Sequence, residues 1–195
     1  KMDLDIWEII EAAKTKPFGF MPFYPGPGLG GHCLPCDPLY LSWKARTHGF
    51  EARLIELAAE INSSMPHFVV DKVTSALNEH KKALKGSRIL IIGVTYKKDV
   101  NDMRESPALA IIDSLNEKEA KVEYHDPLVT NFAVDGLKLN SIGLTKDNIS
   151  SSDCVVIVTD HTSLDYKLIV DSAKLIVDTR NALRKFKENG KIITL

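Results

Sequence analysis

The sequence predicts an α/β protein, with a helical segment over about the first 85 residues and a doubly wound parallel sheet after it. Three observations carry this reading. Between 51 and 84, apolar residues such as Leu54, Leu57, Ile61, Phe68, Val69, Val73 and Leu77 recur at helical spacing. The runs at 88–93 (R-I-L-I-I-G) and 154–159 (C-V-V-I-V-T) are short and almost wholly apolar, as strands buried on both faces are. Helical stretches at 106–116 and 163–173 alternate with such runs, which implies a parallel sheet covered on both sides.

The elements follow in order. Residues 1–14 read as a helix already under way, with Leu4, Ile6, Trp7, Ile9 and Ile10 among acids, so the chain reads as the C-terminal part of something longer. Residues 38–48 form a short helix that stops at Gly49. The 51–84 run is long for one globular helix, and Pro66 should kink or restart it. Such a helix serves as a spine between domains, as a self-association surface, or as a helix packed on its own core. After a break at 85–87 come the 88–93 strand and the 106–116 helix, with Pro107 suited to a first turn. A strand at 121–125 ends at Asp126-Pro127, and 154–159, 175–178 and 192–195 complete the sheet. The chain therefore divides into 1–85 and 86–195.

Composition narrows the function classes. With 195 residues, 44% hydrophobic and 26% charged, the chain falls in the ordinary soluble globular class. A formal net charge of -1 argues against a broad nucleic-acid surface. No apolar run approaches ~20 residues, so no membrane span is expected. Three cysteines make no disulfide framework, which fits a reducing, cytoplasmic setting.

The most informative stretch is 22–41, P-F-Y-P-G-P-G-L-G-G-H-C-L-P-C-D-P-L-Y-L. Gly26, Gly28, Gly30 and Gly31 beside Pro22, Pro25 and Pro27 forbid a lasting helix or strand and let backbone approach a ligand. The loop delivers Cys33, with Asp37 four residues on. This is either a nucleophile with an ionisable helper or a structural turn with two buried thiols. Cys33-Leu34-Pro35-Cys36 lacks the second ligand pair that a zinc site needs, so no metal site is expected. In a doubly wound sheet, ligands bind beyond the carboxyl ends of the strands. There stand the 94–105 loop, Asp126, Asp160-His161 and Thr179-Arg180-Asn181. The first loop has Gly93 alone where a dinucleotide fingerprint needs three glycines. Its Tyr96, Lys97, Lys98 and Arg104 suit a nucleotide diphosphate, or else form a solvated surface loop. His161 reads as a capping or packing residue rather than a catalytic one.

Taken together, four stretches resemble the UDP-glucose/GDP-mannose dehydrogenase family across essentially the whole chain. They are P-G-P-G-L-G-G-H-C-L-P-C-D-P at 25–38, E-L-A-A-E-I-N at 56–62, G-V-T-Y-K-K-D-V-N-D-M-R-E-S-P at 93–107 and D-T-R-N at 178–181. The loop, with Y-L-S-W-K-A-R after it, looks closest to the bacterial UDP-N-acetylglucosamine 6-dehydrogenases of polysaccharide biosynthesis. The resemblance implies a central dimerising helical domain at 1–85 and a Rossmann-like UDP-sugar-binding domain at 86–195. The family's N-terminal NAD domain and its catalytic lysine and asparagine have no counterpart, so the chain by itself is expected to be inactive.

The resemblance also implies residue roles. Cys33 is the nucleophile, and Asp37 assists water activation or proton transfer. The C6 alcohol of a UDP-sugar is oxidised to a carboxylate in two NAD-dependent hydride transfers, through a thiohemiacetal and a thioester on Cys33. UDP-N-acetylglucosamine is the expected substrate, with UDP-glucose and UDP-N-acetylmannosamine as alternatives. Phe23, Tyr24, Gly26, Gly28, Leu29 and Gly30 match the sugar-nucleotide loop, with Tyr96, Lys97 and Arg180 beside the nucleotide. The 33–36 backbone (Cys33, Leu34, Pro35, Cys36) and Arg104 face NAD. A homodimer through helix 51–84 is expected. One departure stands out: relatives with F-L-K-A-S in the loop use an upstream arginine from the partner subunit, whereas no arginine precedes Cys33 here and Lys16 is a weak substitute. The rival reading is a non-catalytic nucleotide-binding or dimerisation module.

Overall fold

The computed structural model describes residues 4–134, 136–186 and 190–195. Helix α1 (Ile6–Lys14) starts where the Asp5 carboxylate accepts the Trp7 and Glu8 N–H groups at 2.9 and 3.4 Å. Helix α2 (Asp37–Arg46) follows the glycine loop, with Pro38 in its first turn, where no N–H is required. Helix α3 (Arg53–Glu79) is one element of 27 residues with Pro66 inside it. The expected restart does not occur, and the helix stops at Glu79 rather than 84. Proline leaves the Asn62 carbonyl without its i+4 donor. That oxygen lies 3.3 Å from where a Cβ on Gly28 would sit, so the glycine loop packs directly over the gap.

The sheet contains β1 (Arg88–Ile92), β2 (Lys121–His125), β5 (Cys154–Ile157), β6 (Ile176–Asp178) and β7 (Ile192–Thr194). It runs in the order β2-β1-β5-β6-β7, and every pairing is parallel. Helix α4 (Pro107–Glu117) links β1 to β2, and α6 (Tyr166–Ser172) links β5 to β6. The side-chain period of two sorts β1 into two cores. Ile89 and Ile91 join Val69, Val73 and Leu77 of α3 and Ile111 and Leu115 of α4 on one face. Leu90 and Ile92 join Ile149, Val155, Ile157 and Ile169 on the other. Near-continuous apolar runs are what a sheet covered on both faces requires, so the doubly wound reading holds.

Two elements escaped the sequence reading. An antiparallel hairpin, β3 (Asn131–Val134) with β4 (Leu137–Asn140), forms its own two-stranded sheet and packs Phe132 on Tyr124 of β2, and a six-residue helix, α5 (Lys146–Ser151), precedes β5. The Asp-Gly pair at 135–136 between alternating residues was a legible hairpin signal. The C-terminal half of α3 buries Val69, Val70, Val73, Ala76 and Leu77 against the sheet, whereas Leu54, Leu57 and Ile61 of its N-terminal half are more than half exposed. No described helix is long and apolar enough to cross a membrane.

Candidate active site

The glycines of the 22–36 loop mark a seam against the carboxyl ends of the strands. A Cβ on Gly26 would lie 2.7 Å from Nη1 of Arg180. One on Gly30 would lie 2.6 Å from both the Glu105 carbonyl and the Tyr96 Cβ. Gly31, at φ +81°, lies against the Tyr96 ring, and its N–H donates to the Arg104 carbonyl at 2.8 Å. Any side chain at 26 or 30 would displace its neighbour. The loop that carries Cys33 is thereby joined to the 94–105 loop and to the turn after β6.

Beyond the seam the chain turns, with the Cys36 N–H donating to the His32 carbonyl at 2.9 Å, and α2 begins at Asp37. Cys33 is exposed, Cys36 is half-buried and Cys154 is buried; all three are free thiols. Burial pushes the Cys154 thiol up to about 12, which leaves it inert at neutral pH. The Asp37 carboxylate pairs with Nδ1 of His32 at 2.9 Å, and the His32 ring tilts against Tyr40. His32 was passed over as a functional residue, although it stands directly before Cys33. Nε and Nη2 of Arg104 grip the Asp102 carboxylate at 2.7–3.1 Å, and this raises the guanidinium above its ordinary value. Gly31, two residues before Cys33, meets both the Arg104 carbonyl and the Tyr96 ring, which puts the three residues in one neighbourhood.

Arg180 is placed by the turn after β6. Buried Asp178 accepts its N–H at 3.0 Å and that of Leu183 at 2.8 Å, while Arg180 Nε donates to the Val158 carbonyl at 2.8 Å. Burial raises the Asp178 carboxyl and lowers the Arg180 guanidinium from their ordinary values. Among the described residues Arg180 forms no ion pair. A half-buried cation whose nearest carboxylate, Asp160, is not in ion-pair contact is suited to receive an anionic ligand. Arg180, Asn181, Arg184, Asp160, Trp7 and Tyr24 line a cavity of 640 Å³. Tyr24 stacks on Trp7 at 5.8 Å and donates to Glu11 at 2.6 Å. Trp7 Nε1 and Asn181 Oδ1 are buried without a hydrogen-bond partner, so two polar atoms in the lining of this cavity stay unsatisfied.

The other sequence-predicted residues divide. Tyr96 is half-buried in the seam, and Lys97 projects into solvent. Gly28, Leu29, Leu34, Pro35 and Cys36 line a second, larger groove that runs between α2, α3 and α4, and Phe23 is 78% exposed. Asp37 turns to His32, and no described contact joins it to Cys33. Among the described residues no cluster of three His, Cys, Asp or Glu could hold a metal ion. For a dinucleotide, the turn after β1 gives no cradle, because a Cβ on Gly93 would lie 2.5 Å from Thr159. Leu34 and Cys33 are both exposed, just after the Gly31 N–H that meets the Arg104 carbonyl.

Residues 1–64 match the central domain of the UDP-glucose/GDP-mannose dehydrogenase family, and residues 90–185 match its UDP binding domain. The chain is 34% identical to the UDP-N-acetyl-D-mannosamine dehydrogenase of Methanococcus vannielii, over 94% of this chain and 42% of that protein. It is also 34% identical to the UDP-N-acetyl-D-glucosamine 6-dehydrogenase of Pseudomonas aeruginosa, over 67% of this chain and 30% of that one. The solved UDP-D-ManNAc dehydrogenase of Pyrococcus horikoshii superposes with a TM-score of 0.78 at 30% identity, over 92% of this chain and 41% of that one. The chain thus spans less than half the length of the relatives it matches.

Proposed function

The chain belongs to the UDP-glucose/GDP-mannose dehydrogenase family, and from that premise we propose that it is the nucleophile-bearing and sugar-nucleotide-binding part of an NAD-dependent UDP-sugar 6-dehydrogenase. The observation that carries this reading is the seam: one loop presents Cys33, meets Arg180 through Gly26, and meets Tyr96 through Gly30 and Gly31. A ligand lying along it would put its diphosphate against Arg180 and Lys97 and its sugar toward Cys33. The relatives at 34% identity are named for N-acetylated UDP-sugars, so a UDP-linked 2-acetamido hexose is the substrate class. They divide between mannosamine and glucosamine configurations, and this weakens the narrower expectation of UDP-N-acetylglucosamine.

In the proposed reaction two NAD+, bound in succession, would each accept one hydride. The Cys33 thiolate attacks the C6 aldehyde, and the resulting C–S bond holds the sugar through the second oxidation as a thioester. Water then adds to the thioester carbonyl, and the C–S bond breaks to release carboxylate and thiol. The His32–Asp37 pair stands one residue from the thiol, where it can take the proton of that water. Leu34, Pro35 and Cys36, with Arg104, form the wall that faces NAD. Residues 1–85 are proposed as the dimerising domain and 86–195 as the UDP-sugar domain, in a cytoplasmic enzyme.

Calorimetric titration tests the reading. The chain should bind UDP and UDP-N-acetylhexosamines and bind NAD hardly at all. Lys97→Ala and Arg180→Ala should each lower UDP affinity about tenfold or more, since a charge-assisted contact is worth ~1.5–3 kcal/mol. Tighter binding of NAD than of UDP would overturn it.

A further inference from the structure

The 94–105 loop that carries Tyr96 and Lys97 has no regular structure between Val94 and Arg104, yet it is held at several points. Asp126, after β2, accepts the Val94 N–H on Oδ2 at 2.7 Å. Thr159, after β5, donates its hydroxyl to the Thr95 carbonyl at 2.5 Å. Beyond Lys97 the loop depends on His161, whose side chain is fully buried. Its Nδ1 accepts the Asp99 N–H at 2.9 Å, and its Nε2 lies 3.1 Å from Asp126 Oδ2 and 3.2 Å from Thr95 Oγ1.

These partners fix the protonation state of the ring. A backbone N–H can only donate, so Nδ1 must be bare, and the single proton of the neutral ring sits on Nε2 and points at the Asp126 carboxylate. Burial alone would raise the Asp126 carboxyl. The bonds from His161 and from the Val94 and Leu128 N–H groups outweigh it and hold the group below its ordinary value. A second proton on the ring would set Nδ1–H against the Asp99 N–H, donor to donor. The Asp99 carboxylate could accept it, because Oδ1 lies 3.8 Å from Nδ1. That carboxylate is already committed to the Thr162 N–H at 2.8 Å and hydroxyl at 2.6 Å. Asp99 has a left-handed backbone, φ +59°, which these bonds maintain.

We propose that neutral His161 is a positioning residue for the nucleotide site, and that its protonation releases the Tyr96–Lys97 loop and with it the ligand. This deepens, and rests on, the UDP-sugar reading above. The other charged or titratable groups around the ring are Asp126, Asp99, Tyr166, whose hydroxyl donates to the His161 carbonyl at 2.8 Å, and the Lys98–Asp160 pair. The holding form is the one with a bare Nδ1, so affinity is full in that form and falls when the ring takes a second proton.

The test uses the 195-residue chain and UDP as probe. Lowering pH from neutral into mild acid should weaken UDP binding about tenfold if the ring gains its second proton, the effect of one hydrogen bond's loss, with the protection factor of the Asp99 amide falling in parallel. The phosphate of UDP also titrates in this range, so His161→Asn is the control. It keeps an acceptor for the Asp99 N–H but cannot ionise, so relative to its own affinity at neutral pH its acid limb should be flatter than the parent's. His161→Leu should lose about tenfold in affinity at neutral pH while unfolding cooperatively. A pH profile unchanged in His161→Asn, or wild-type affinity in a folded His161→Leu, overturns the proposal. Should His161→Leu fail to fold, nitrogen-15 shifts of the parent's ring decide: a protonated Nδ1 at neutral pH overturns it, and a bare one supports it. If the parent binds no UDP, the functional reading fails, while the dependence of Asp99 exchange on pH still decides the brace.

Discussion

Replacing Gly26 by alanine isolates the contact between the Cys33 loop and Arg180, the proposed phosphate partner. The added Cβ would lie 2.7 Å from Arg180 Nη1 and 3.4 Å from Cζ. An ordinary contact is about 3.4 Å or longer, so the guanidinium tip must retreat by several tenths of an ångström. The backbone of Gly26 has no left-handed φ, so alanine introduces no strain of its own. The atom displaced is the far end of a flexible side chain, and stability should change by less than ~1 kcal/mol. Ligand binding should suffer more. Arg180 is anchored through Nε on the Val158 carbonyl, so a forced retreat re-aims the two Nη groups that would meet phosphate. Loss of that charge-assisted contact, ~1.5–3 kcal/mol, corresponds to a tenfold or greater fall in UDP affinity. Gly30→Ala provides the contrast. Its Cβ meets the Glu105 carbonyl and the Tyr96 Cβ, both at 2.6 Å, and neither can swing aside. Overpacking there should cost ~1–3 kcal/mol of stability. Urea unfolding and UDP titration on both variants make the measurement. A folded Gly26→Ala protein with UDP affinity within about twofold of the parent would refute the placement of phosphate at Arg180.

Other outcomes follow from the same geometry. Iodoacetamide should label exposed Cys33 first and Cys154 last, and Cys154 should react only on unfolding; early labelling of Cys154 would contradict its burial. In the intact enzyme Cys33→Ser should abolish acid formation, and Cys36→Ser should retain much of it. Light scattering should find a dimer, because Leu54, Leu57 and Ile61 leave an apolar stripe on α3 that a two-fold contact would cover; a concentration-independent monomer would count against it. Asp126 has a lowered folded-state value, so its contribution is complete above the unfolded carboxylate range, near 3.9, and is lost as pH falls through the folded value. Asp126→Asn should therefore flatten the acid limb of stability against pH, and an unaltered limb would discount this carboxylate.

Much of this protein was legible in its sequence because the signals are local. The apolar runs at 88–93 and 154–159 could satisfy their burial only in a covered parallel sheet, and β1 and β5 are adjacent within it. Glycines packed among prolines marked the one segment that must touch other backbone, although the sequence could not say what it touches. That was decided by folding: Arg180 lies 154 residues beyond Gly26 in the numbering, and no periodicity links them. The continuity of α3 through Pro66 is likewise a tertiary result, because packing of its C-terminal half on the sheet outweighs one lost backbone bond. The same holds for Asp37 choosing His32, and for His161 joining the ends of β1, β2 and β5. A hydrogen bond leaves its mark on two residue types that many other contacts would also accept. A buried strand leaves its mark on every residue it contains. The sequence therefore determined the sheet, and only the fold decided which side chains surround the glycine loop and its Cys33.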